Sequence, residues 1–133
     1  MVTPMTGMLL DTTILIDLMR GDTGAAEFID TVVASRTLLF VSAISAMELF
    51  VGCRNNDEVK KAQQLVASFG LLHLYPAESR RAYELVLLYS KSHGLAIPDA
   101  LIAATALVQD LELASDNVRH FGTIPDLRVR RPY

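Results

Sequence analysis

Residues 8–21 read MLLDTTILIDLMRG. The apolar run Met8–Leu10 has the length and composition of a buried strand, and an acid, Asp11, follows it directly. From about Thr13 to Arg20 the apolar residues recur at helical spacing, and Gly21 is a stop signal. A short strand leading straight into a helix, with an acid at the junction, is the repeating unit of an α/β sheet.

The same alternation continues outward. A helix is predicted from about Gly24 to Ser35, then a strand at Leu38–Val41. Ser45 and Glu48 have the S-x-x-E spacing of a capping box, with Ser42 as an earlier possible start. Asp57 is placed to cap a helix that runs to Phe69 and ends at Gly70, and a brief strand is expected at Leu71–Leu74. The longest helix spans Ala77 to His93, with Ala82, Leu85, Val86 and Tyr89 on one stripe and Gly94 as its stop. Pro98 opens the next helix, where its missing N–H costs nothing, and that helix ends near Asp110. Leu113–Ser115 reads as a strand, and Val129 as part of a short edge strand before Pro132. Strands alternating with helices predict an α/β fold with a mainly parallel sheet. No repeat, low-complexity tract or linker divides residues 1–133, so one domain is expected.

Composition narrows the class. Hydrophobic residues make up 51% of the chain and charged residues 20%, enough for a core and too little charge for a disordered polyelectrolyte. The formal charge of −3 argues against broad non-specific nucleic-acid binding while leaving room for a local basic groove. The single cysteine, Cys53, has no partner for an intrachain disulfide, which fits a reducing compartment and a buried apolar role. The opening MVTPMTGMLL lacks the basic and apolar regions of a secretory leader. The longest strongly apolar stretch, Ala100 to Val108, is far short of the ~20 residues a membrane helix needs. A cytoplasmic protein with no membrane association is expected.

In parallel sheets, ligands bind beyond the carboxyl ends of the strands near a topological switch point. Four acids fall where that rule directs. Asp11 follows the first strand, Asp116 follows the strand ending at Ser115, and Glu48 and Asp99 are placed in the first turns of helices. Helix dipoles and capping also favour acids in first turns, so no one of them is decisive. Convergence would be, because two carboxylates ~5 Å apart at an effective dielectric of ~20 repel by roughly 3 kcal/mol. Such a site must take up protons or a cation. Oxygen ligands without histidine or cysteine suit Mg²⁺ or Mn²⁺ rather than zinc. Mg²⁺ takes one or two carboxylates directly and keeps several waters, and the remaining acids would hold those waters or orient a nucleophile. Phosphodiester hydrolysis is the chemistry such a set suits best.

LLDTTILIDLM at 9–19 resembles the opening motif of PIN domains, with its acid at Asp11 and a hydroxyl two places on at Thr13. SAISAMELFVG at 42–52 is similar to their second motif, with Glu48. IPDALIAATAL at 97–107 is similar to the third, with Asp99. LASDNVRHFGTIPDLRV at 113–129 resembles the fourth, with Asn117, Arg119 and Phe121. The resemblance spans nearly the whole chain in the family's order. It implies a three-layer α/β/α domain, a Mg²⁺- or Mn²⁺-dependent endoribonuclease and, at this length, the VapC-type toxins. It also implies an RNA substrate, a homodimer and a small VapB-like antitoxin. In the fourth motif, Ser115 stands where a threonine is usual, and Asp116 precedes the motif's Asn117. Charge favours Asp116 as the fourth site group, with Asp11 and Asp99, while motif register favours Asn117, whose other reading is a loop-tying role.

Other residues have everyday readings beside these. Thr12 and Thr13 can each bond Asp11 or cap the helix, and Thr13 is the favoured one. Asp17, six residues after Asp11 on the following helix, can touch the site or take an ordinary polar or capping role. Arg119 and His120 can contact phosphate or make structural bonds. His73 and His93 lack acidic or cysteine partners at ligand spacing. Arg80, Arg81, Arg128, Arg130 and Arg131 are candidate RNA contacts on an otherwise solvated surface. Met47, Leu49, Phe50 and Val51 read mostly as core, and part of that group can line a groove for an antitoxin helix. A PIN nuclease of RNA processing or a catalytically inactive PIN-fold binding protein are the alternatives within the family. A response-regulator-like module would need a lysine near its last strand, and none follows Lys91.

Overall fold

The structure, a computed structural model, describes residues 6–133. Residues 1–5, part of the opening stretch read above, lie outside the described residues. The chain runs β1 (Thr6–Leu10), α1 (Thr12–Met19), α2 (Thr23–Ala34), β2 (Thr37–Ser42), α3 (Ala43–Val51) and α4 (Asn56–Val66). It continues through β3 (Gly70–Leu72), α5 (Pro76–His93), α6 (Ile97–Gln109), β4 (Glu112–Ala114), α7 (Val118–Phe121) and β5 (Val129–Arg130). The strands form one sheet in the order β3-β2-β1-β4-β5, and every described pairing is parallel.

Strand alternation divides the core. Met8 and Leu10 face one side with Val41 and Ala114, against Ile14, Leu15, Val32, Leu49 and Val66 from α1–α4. Leu9 and Leu113 face the other side, against Leu85, Ile102, Ala103 and Phe121 from α5–α7. A central strand buried on both faces must be apolar at successive positions, and Met8, Leu9 and Leu10 are each at most 1% exposed. The result is the expected three-layer α/β/α arrangement.

Several element ends differ from the sequence reading, each for a local reason. Ser42, not Ser45, caps α3, its hydroxyl accepting from the Ile44 N–H at 3.0 Å. Glu48 therefore lies in the second turn of that helix, and Ser45 is fully buried inside it. Asn55, not Asp57, caps α4 by accepting from the Glu58 N–H at 2.9 Å. Strand β3 covers Gly70–Leu72 rather than Leu71–Leu74, because its partners are Phe40–Ser42 and the chain must then reach Pro76 at the start of α5. Strand β4 covers Glu112–Ala114 rather than Leu113–Ser115. Gly94 does end α5, at φ +65°, a left-handed conformation that glycine adopts without a Cβ penalty. The buried Glu78 ties α5 to α6. One of its oxygens accepts from Gln109 Nε2 at 2.7 Å and the other from the Tyr75 N–H at 3.2 Å.

Two glycines make room for an aromatic ring across the sheet. A Cβ at Gly70 would lie 2.5 Å from Phe40 Cδ1, and one at Gly7 would lie 3.2 Å from Phe40 Cε2 on the opposite ring edge. Phe40 thus lies between β1 and β3 in a slot that side chains would close. Gly70→Ala is expected to lower stability by about 1–3 kcal/mol through overpacking, measured by urea denaturation. The Gly70→Ala, Phe40→Leu double variant should be more stable than the two single losses predict, since removing the ring relieves the clash. Strict additivity would contradict the slot.

Candidate active site

The sheet reverses its direction of growth beside β1, whose neighbours are β2 and β4. Chain segments leaving the carboxyl ends of β1 and β4 diverge there, which opens a crevice at the switch point. Asp11 sits on that edge. Its N–H continues the ladder by donating to the Ala114 carbonyl at 3.0 Å, while its side chain caps α1. Oδ1 accepts from the Thr12 N–H at 2.8 Å, and Oδ2 accepts from the Ser115 hydroxyl at 2.6 Å. Ser115 is fully buried and in turn accepts from the Asn117 N–H at 2.9 Å. Asp11 itself is 5% exposed. Burial pushes its carboxyl above the usual range, against the lowering effect of those two hydrogen bonds, and Asp116 adds a further upward push.

The other acids approach from three elements. Asp99, half-buried in the first turn of α6, is pushed upward chiefly by burial and then by the charges of Asp11 and Glu48. His120 on α7 acts in the opposite sense. Glu48 is exposed on α3, and one of its oxygens accepts from the Thr12 hydroxyl at 2.9 Å. Asp116 is exposed just beyond β4. Asp11, Glu48, Asp99 and Asp116 thus share one electrostatic neighbourhood at the sheet's carboxyl edge.

The supporting residues distribute differently from the sequence reading. Thr13 is exposed, and among the described residues its side chain makes no hydrogen bond to the acids. Thr12 carries the hydroxyl that reaches Glu48, and the same hydroxyl lies 3.0 Å from Ser45 Oγ. Asn117 stands at the start of α7 and contributes its backbone N–H, with no side-chain cap bond. Arg119 is exposed, and the basic side chain that acts on Asp99 is its neighbour His120. Asp17 is engaged by the Tyr133 hydroxyl, which donates to it, and the Tyr133 ring packs against Phe28 at 6.2 Å between centroids. From Glu48 a cleft of about 700 Å³ runs between α1, α3 and α4, floored by Ile16, Leu49 and Cys53 and edged by Arg20, Arg54 and Lys61.

Among the described residues, no three of His, Cys, Asp and Glu stand close enough together to enclose a metal ion. The donor set nonetheless fits a hard cation. Its oxygens are carboxylates, and Mg²⁺ characteristically binds through one or two of them while keeping its own waters. Asp11 and Asp99, both destabilised as anions, are the pair that such a cation would relieve.

A parallel α/β domain with carboxylates gathered at the switch point of its sheet has the arrangement expected of an acid-centred phosphodiester enzyme. The sequence profile of the PIN domain matches residues 8–125, and the chain belongs to that family. Ribonuclease VapC10 of Mycobacterium tuberculosis is 36% identical over 91% of this chain and 90% of its own. Ribonuclease VapC19 of the same species is 33% identical, over 90% and 96%. Among solved structures, a toxin–antitoxin complex from Klebsiella pneumoniae contains a chain that superposes with a TM-score of 0.76 at 30% identity, covering 94% of this chain and 97% of that one. VapBC2 of Rickettsia felis, at 20% identity, shares the fold with a TM-score of 0.80, covering 94% and 98%.

The charge on Asp99 can be tested without substrate. A carboxyl whose folded pKa is raised opposes folding once ionised, so wild-type stability falls as pH rises through that value. Asp99→Asn removes this term. In EDTA-treated protein the variant should be more stable than wild type near neutral pH, and the gain should vanish below the ordinary aspartate value of 3.8. Urea denaturation across that range is the measurement. A variant less stable at neutral pH would place Asp99 outside the repulsive cluster.

Proposed function

We propose that this chain is a metal-dependent endoribonuclease acting as the toxin of a VapBC-type toxin–antitoxin pair. The observation that carries the reading is the Asp11–Asp99 apposition at the switch point, where burial and neighbouring acids make both carboxylates unfavourable as bare anions. The relatives named as VapC ribonucleases match over most of their length and so support the activity.

Asp11 and Asp99 would hold a Mg²⁺ ion, or Mn²⁺ in its place, with Asp116 as a third, more exposed oxygen source. Such an ion would supply charge neutralisation on the phosphodiester and lower the pKa of a water. The chain's own residues supply the frame. Ser115 and the Thr12 N–H fix both oxygens of Asp11. Glu48, whose charge acts on Asp99, would orient a nucleophile. His120 lies close enough to act on Asp99, where an RNA phosphate would enter. Asn117 holds the loop after β4 through its backbone rather than competing as a ligand.

A VapB-like antitoxin and a cytoplasmic setting belong to this reading, which the Klebsiella pneumoniae complex supports for the partner. No helix among the described residues is long and apolar enough to cross a membrane. A homodimer belongs to it as well. Tyr83, Leu87, Leu88 and Ile97 on α5 and α6 are 61–70% exposed, an apolar face that a second copy would cover.

The purified chain should cleave RNA internally in millimolar Mg²⁺ and lose activity in EDTA. Asp11→Asn and Asp99→Asn should each reduce cleavage by about 100-fold or more while remaining folded. Asp116→Asn should lose less and recover in part at high Mn²⁺. Light scattering on the same sample should give about twice the 14.6 kDa chain mass. Undiminished cleavage in EDTA would refute the metal, and a folded protein inert in both Mg²⁺ and Mn²⁺ would favour a binding role for the domain.

A further inference from the structure

The residue that links the acids is Thr12, at the first position of α1. Its N–H donates to Asp11 Oδ1 at 2.8 Å, and its hydroxyl lies 2.9 Å from Glu48 Oε1. The two acids are 37 residues apart along the chain, and Thr12 spans them in space. Glu48 is exposed on α3, so packing does not hold its long side chain in one rotamer. Ser45 lies one turn earlier on the same helix face and is fully buried, with its Oγ 3.0 Å from the Thr12 hydroxyl. The Thr12 hydroxyl has one proton and two acceptors. A carboxylate is the stronger acceptor, so the proton goes to Glu48, and the buried Ser45 hydroxyl, donating its own proton to Thr12 Oγ1, keeps it seated between the helices.

We infer that Thr12 is a positioning residue that holds Glu48 in the orientation the site uses, with Ser45 as the seat of its hydroxyl. This deepens the ribonuclease reading and rests on it. Thr12 touches neither substrate nor cation in this account, and it acts through Glu48. A valine at this position keeps the shape and removes the proton, and a serine keeps the proton and loses only a methyl group.

In Mg²⁺-supplemented enzyme, Thr12→Val should lower kcat for RNA cleavage by about 10-fold or more, with KM little changed, as for loss of an orienting partner. Thr12→Ser should regain most of that loss. Introduced into Glu48→Gln, Thr12→Val should add little, because the group it positions is already disabled. Three-bond coupling constants of the Glu48 side chain, read by NMR, should report one rotamer in wild type and Thr12→Ser and an averaged one in Thr12→Val. Full activity in Thr12→Val, an equal loss in both backgrounds, or an averaged Glu48 in wild type would overturn the inference. A wild-type chain that cleaves no RNA, yet keeps Glu48 fixed only while Thr12 is present, would overturn the ribonuclease reading and leave the positioning role standing.

Discussion

The Ser115 hydroxyl donates to Asp11 Oδ2 across the carboxyl ends of β1 and β4, and much of the site is arranged around that contact. The two residues are 104 positions apart and meet because β1 and β4 pair in parallel at the centre of the sheet. Both are buried, so neither can exchange its partner for water without exposing the core. An uncompensated carboxylate there would be costly, and two hydrogen bonds to its oxygens make it tolerable without making it favourable. The residual penalty is one that a bound cation would relieve. Sheet order, strand burial and site charge are consequences of one another here.

Such a site is bought with stability. Asp11 and Asp99 are both pushed toward the neutral form, so at physiological pH the metal-free fold carries repulsion that an uncharged edge would lack. Proteins commonly accept this at active centres. Glu78 is buried yet has partners for both oxygens, and the helix ends near the site are capped by Asp11 and Ser42.

Much of this was legible in the sequence, for reasons that are local. Met8–Leu10 followed by Asp11 reads as a buried strand and an acid at its end, because a strand covered on both faces has to be apolar at every position. Gly94 and Pro98 mark helix boundaries through backbone chemistry that needs no tertiary information. The differences arise where tertiary contacts decide. Ser42 and Ser45 are both capping residues by type, and only the length of β2 shows which one ends the strand. Thr12 and Thr13 are identical side chains, and the one that faces Glu48 is set by how α1 packs on α3. Helix α7, four residues long, is too short to leave a periodic signal. The proximity of His120 to Asp99 joins residues on separate elements and has no counterpart in spacing along the chain.

The central claim is that the acids at the switch point form a single cation site, with Asp11 and Asp99 as its holders. Calorimetric titration of Mn²⁺ into the EDTA-stripped protein addresses it without any substrate. The account predicts saturable binding to the wild-type chain and its loss in the Asp11→Asn, Asp99→Asn double variant, with the variant still cooperatively folded. Equal binding by the two proteins would contradict it.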